Sequence, residues 1–128
     1  MRKWMILSVL CAFGVGTSAL IVRATAEGSG PQPKYTTKEI MQLAHKKLKL
    51  FPKVVKGEAT EKEKLKLLEL FVWLRENDPP KGKKAAWDQR CNDLLAATCK
   101  VVLGYKGSEK KLKKASNCGG CHKLHKGK

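Results

Sequence analysis

The run Cys118-Gly119-Gly120-Cys121-His122 sets two thiols three residues apart and a histidine directly after the second. This is the spacing of the C-x-x-C-H haem-attachment motif. On one helical turn the two sulfurs point to the same side, where each can form a thioether with one vinyl-derived arm of the haem. His122 then projects toward the iron as an axial ligand, so attachment and ligation share a turn. Gly119 and Gly120 keep side chains away from the macrocycle, at a helix cost of up to about 1 kcal/mol each relative to Ala. One covalently bound haem c on Cys118 and Cys121 is therefore expected. Other uses of the cysteines fit less of the run. A thioredoxin-type redox pair belongs at a helix start in a βαβ setting, and the chain has no strand pattern. A zinc site could recruit Cys118, Cys121 and His125, but structural zinc motifs take a second ligand pair from beyond a loop, and no second C-x-x-C exists. A plain disulfide leaves His122 unexplained.

The elements that must position these residues read as helices. Thr36 and Glu39 form a capping-box pair, followed at helical spacing by Ile40, Leu43, Ala44, Lys47, Leu48 and Phe51. Pro52 predicts either a stop at Phe51 or a bent continuation to Gly57. Thr60 and Glu63 repeat the box and open a second helix over 61–76, with Leu65, Leu68, Val72 and Arg75 on its apolar face beside Phe71 and Trp73. Asn77, Asp78, Pro79, Pro80 and Gly82 are the clearest breaker. Beyond it Trp87, Cys91, Leu94, Leu95, Thr98, Val101 and Val102 mark a third helix, closed by Gly104 and Gly107. Ser108 is the expected N-cap of a fourth that carries Leu112, Ala115, Cys118 and His122 at spacings of three and four. Four helices with short connections predict an all-α, antiparallel four-helix bundle with the haem on its C-terminal helix.

Upstream, Arg2 and Lys3, an apolar stretch over 4–22 and Ala24-Thr25-Ala26 read as an export signal cleaved after Ala26. The alternative is an uncleaved membrane anchor, because the 19 apolar residues approach the length that spans a bilayer, although Gly14, Gly16, Thr17 and Ser18 dilute them. Cys11 lies inside that stretch behind Leu10, which is too large for a lipid-attachment site. Residues 27–33 are too rich in Gly and Pro to fold and form a tether, so the domain covers 34–128. Export places it in the periplasm, where cysteines pair, bind metal or hold a cofactor. Cys91 and Cys99 stand about 12 Å apart along one helix and cannot bond each other, so they are read as buried free thiols, with a disulfide between subunits as the minor alternative.

Haem on the last helix of a bundle, where the better-known small cytochromes c attach it near the N-terminus, resembles the class II c-type cytochromes, the family of cytochrome c-prime and its low-spin relatives. The resemblance covers roughly residues 34–128, with the domain somewhat short for that family. It implies haem between the helices and a distal residue from the first helix. Low-spin members use a methionine at a position that Met41 in Lys38-Glu39-Ile40-Met41-Gln42 resembles. Met41 is thus the expected second axial ligand. His45, on the same face at i+4, is the bis-histidine alternative, otherwise a histidine at the surface or pocket edge. Methionine ligation raises the potential and two fixed ligands suit electron transfer; an open distal face suits a small gas. His125, at i+3 from His122, is expected at an exposed C-terminal turn.

Charge bounds the partners. The chain has 27 Lys and Arg against 11 Asp and Glu, and loss of Arg2, Lys3 and Arg23 with the leader still leaves a formal +13. Most lysines are expected on solvated helix faces. Clusters at 110–114 and 123–128 beside the haem helix fit acidic redox partners and the haem propionates. An anionic membrane surface and a homodimer are further associations compatible with the sequence. Export and the lack of interleaved aromatics argue against nucleic acid. The expected function is single-electron transfer without catalysis; the alternative is a five-coordinate protein of the cytochrome c-prime kind that binds nitric oxide or carbon monoxide.

Overall fold

The computed structural model describes residues 32–127; the expected export signal and most of the tether lie outside the described residues. The described residues are all-α, and none of their helices is long and apolar enough to cross a membrane.

Helix α1 (Thr37–Met41) starts at the expected capping box. The Thr36 hydroxyl accepts from the Glu39 N–H at 3.3 Å, and the Glu39 carboxylate accepts from the Thr36 N–H at 2.8 Å. The helix then widens into a π-helical stretch, Gln42–Lys47, closed by the Leu48 N–H on the Leu43 carbonyl at 3.2 Å. Lys49 takes a left-handed conformation with φ of 49°, and α2 (Leu50–Lys56) begins immediately after it. The expected stop at Phe51 therefore falls earlier, at Leu48 and Lys49. Pro52 sits in the first turn of α2, where its missing N–H would have had no intrahelical partner, so it starts a helix where a kink was expected. Gly57, left-handed at φ 76°, ends that helix as predicted.

Helix α3 (Glu61–Glu76) matches its predicted span and its Thr60–Glu63 capping box. Its buried stripe is Leu67, Leu70, Phe71 and Leu74; Leu65 and Val72, expected inside, are 54% and 43% exposed. Spacings of three, one and three keep the observed stripe on one face over two turns, and this set wins the core. Asn77 breaks the chain and also ties the domain together: its side-chain N–H groups donate to the carbonyls of Tyr35 and Trp73 at 2.9 and 2.7 Å.

Helix α4 (Lys84–Val102) buries Trp87, Cys91, Thr98 and Val101. Cys99, read as buried, is exposed, because eight residues from Cys91 do not return to the same face. The predicted fourth helix is two. Gly107, not Ser108, is the N-cap of α5 (Ser108–Ser116), and Ser108 is buried with its hydroxyl donating to the Tyr105 carbonyl at 2.6 Å. At Asn117 the chain turns left-handed, φ 31°, and α6 (Cys118–His125) starts again from there.

Helix α2 packs on α3, α3 on α4, α4 on α5, and α5 returns to α2; α6 rests on α4. The core enclosed by this cycle includes Ile40, Leu50, Leu67, Phe71, Trp87 and Leu112. Leu67→Ala should lower the unfolding free energy in urea by about 2–5 kcal/mol through transfer and cavity terms. Leu65→Ala should stay within about 0.5 kcal/mol. Equal losses at the two positions would contradict the observed face of α3.

Candidate functional site

Asn117 determines how the cysteine run is presented. Its left-handed backbone stops α5, and its side-chain oxygen accepts the Gly120 N–H at 3.1 Å, capping α6. A Cβ on Gly120 would lie 2.6 Å from the Asn117 side-chain nitrogen, so Gly120 is needed for the cap itself. A Cβ on Gly119 would meet nothing within 4 Å, and there the glycine does leave the side of the helix open.

Cys118 is the first residue of α6 and is exposed, its sulfur 3.9 Å from the Ser116 hydroxyl. Cys121, one turn on, is half-buried against the core. Both are free thiols. Burial pushes the Cys121 thiol up, opposed by the positive field of Arg90 on α4. Cys91 lies deeper on the same helix as Arg90, and burial, with the negative field of Cys121 added, pushes its thiol up to about 12. His122 is exposed, beside two thiols one helical turn apart. This donor set could hold a haem through two thioethers and one imidazole.

The end of α1 and the π-helical stretch that continues it carry the other candidate ligands. Met41, immediately before that stretch, is half-buried and packs against the core. His45, inside it, is half-buried with its ring 5.0 Å from that of Phe51, centroid to centroid. Burial lowers the His45 imidazole pKa, and a charge on His122 lowers it further. The fold thus brings His45 into electrostatic reach of His122 and sets Met41 against apolar side chains.

His125 is not at an exposed turn. It is 2% exposed, with Nδ1 2.9 Å from the Lys81 carbonyl and its ring edge-on to Trp87 at 5.4 Å. Cys118, Cys121 and His125 follow at spacings of three and four, a signal that would have placed His125 on the inward face with Cys121. With His125 engaged there, the zinc alternative lacks its third ligand; among the described residues no group of three or more His, Cys, Asp or Glu is arranged to hold a metal.

Arg90, Asp93, Lys111, Lys114, Ala115 and Asn117 line an open, mostly basic hollow between α4 and α5. Asn117, which directly precedes Cys118 and caps α6, is part of that lining.

Comparisons with protein-family models, with curated proteins and with solved structures found no match to this chain.

The burial pattern orders the thiols. In the reduced, haem-free protein, iodoacetamide at neutral pH should modify Cys99 and Cys118 first, Cys121 more slowly, and Cys91 at least about a hundredfold more slowly until urea is added. Peptide mass spectrometry over a time course gives the four rates. Cys91 labelled as fast as Cys118 in the native protein would contradict the packing of α6 on α4.

Proposed function

We propose that the chain is an exported, monohaem c-type cytochrome that carries single electrons in the periplasm, with Cys118 and Cys121 holding the haem and His122 as one axial ligand. The observation that carries this reading is the complete C-x-x-C-H run on a separately capped helix, with one thiol exposed, the second half-buried and open space at Gly119. When bound, the haem supplies the ferric–ferrous couple. The chain's own groups fix it and set its surroundings.

The resemblance to the class II c-type cytochromes supports the same reading. The cycle from α2 through α3, α4 and α5 back to α2 is interpreted as the antiparallel four-helix bundle, with α6 as a short haem-bearing extension of the fourth helix. The second axial ligand is assigned to the first-helix segment that carries both candidates. Met41 is the choice by resemblance; His45, facing the charge of His122, is the alternative within the same segment. Either gives two fixed ligands and little rearrangement between oxidation states. The hollow formed with Arg90, Lys111 and Lys114 gives an acidic partner a place to dock beside the attachment site, and such docking weakens with salt. The core packing of Met41 favours a second reading, in which that side chain only fills space and an open distal face binds nitric oxide or carbon monoxide.

The optical and paramagnetic resonance spectra of the mature haem protein separate the two. The carrier predicts a low-spin ferric spectrum, with a methionine-to-iron charge-transfer band that Met41→Ala abolishes. A low-spin spectrum that survives Met41→Ala and becomes high-spin in His45→Ala would keep the carrier and move the ligand to His45. A high-spin spectrum in the unaltered protein that shifts with nitric oxide or carbon monoxide would overturn the carrier.

A further inference from the structure

The far end of α6 is held by a socket that haem attachment does not use. His125 Nδ1 lies 2.9 Å from the Lys81 carbonyl. A carbonyl only accepts, so Nδ1 carries a proton and donates it to Lys81, while Nε2 is buried with no partner. The ring is 2% exposed and meets Trp87, itself 3% exposed, edge to face at 5.4 Å. The third wall is backbone. A Cβ on Gly82 would lie 2.9 Å from the Leu124 carbonyl oxygen and 3.0 Å from His125 Nδ1, and Gly82 also has a positive φ of 86°. Only glycine lets the 78–82 loop come this close to α6. Gly127 continues the contact, because a Cβ there would meet Pro80 at 3.3 Å.

We propose that His125 is a positioning residue for the haem site: its bond to the Lys81 carbonyl and its seat between Gly82 and Trp87 latch α6 to the start of α4 and so fix the orientation of His122. The inference rests on the haem reading only for its consequence at His122; the latch itself can be measured without haem. Helix α6 has eight residues, two of them glycines, and its N-terminal end hangs on the left-handed Asn117. Such a segment would not hold a direction by its own backbone hydrogen bonds. The cap at Asn117 fixes one end and the latch fixes the other. His122 lies three residues before His125, so a rotation of α6 in its socket is transmitted directly to the imidazole expected on the iron.

The test uses the full chain, once haem-free and once loaded. Nitrogen-15 NMR of the haem-free protein should show His125 protonated at Nδ1 and not at Nε2. Amide hydrogen exchange across 118–127 should quicken by about tenfold or more in His125→Phe and in Gly82→Ala, with α3 and α4 amides unchanged. Trp87→Phe, which keeps an aromatic ring for His125 to pack on, should stay near the parent rate. In loaded protein the first two variants should keep both thioethers yet alter the ferric ligand-field spectrum and shift the reduction potential. An Nε2–H tautomer, or α6 exchange unchanged in Gly82→Ala, overturns the latch. Faster exchange with an unaltered spectrum and potential overturns the positioning role. Should the parent chain take up no haem, the proposed function fails while the tautomer and exchange arms still decide the latch.

Discussion

The left-handed turn at Asn117 governs the direction of everything that follows it. A continuous fourth helix would have carried the two cysteines onward along the axis of α5. The turn instead starts a new helix, whose inward face bears Cys121 and His125 and whose outward face bears His122. Left-handed backbone costs a typical residue about 1–2 kcal/mol, and asparagine is among the few that tolerate it. The cost is offset locally by the side-chain cap on Gly120, worth about 1 kcal/mol. Gly120 is thereby tied to Asn117, and the run from 117 to 122 acts as one unit: a turn, a cap and the proposed attachment site.

The same unit explains why the surroundings of the thiols differ so strongly. Cys118, at the start of the new helix, is open to solvent, whereas Cys121 a turn later already packs on the core above the buried Cys91. The positive field of Arg90 on α4 acts on Cys121, and Arg90 also lines the hollow with Lys111 and Lys114. A chain with 27 basic residues against 11 acidic ones has positive charge almost everywhere. What the fold adds is placement, since three cations, Arg90, Lys111 and Lys114, line one hollow whose lining holds a single acid, Asp93, and which Asn117 joins to the cysteine run.

Local signals in the sequence were legible where one residue type serves one backbone need. The two Thr–Glu capping boxes, the span of α3 and the stop at Gly57 follow directly from side-chain oxygens, helical spacing and a left-handed glycine. Other features depend on packing between distant segments and left weaker marks. Nothing in Gln42–Lys47 announces a π-helical stretch, and Lys49 adopts a left-handed conformation without being glycine or asparagine. Leucines at 65, 67, 68 and 70 allow more than one apolar stripe on α3, and contact with α4 selects among them. His125, near the end of the last helix, reads as part of an exposed turn where a positive charge complements the helix dipole. Its partner, the Lys81 carbonyl, lies 44 residues away in a loop that reads only as a breaker.

The central claim is that Cys118 and Cys121 together hold one haem, and it meets its most direct test in a peptide. The chain should be made in a host with cytochrome c maturation, exported, unfolded and digested, and the fragment spanning the cysteines weighed intact. The account predicts one haem per fragment, retained under denaturing conditions, with both sulfurs blocked to alkylation and with the mass addition lost in the Cys118→Ser, Cys121→Ser double variant. A fragment that carries two alkylatable thiols, or a disulfide and no haem, would contradict it.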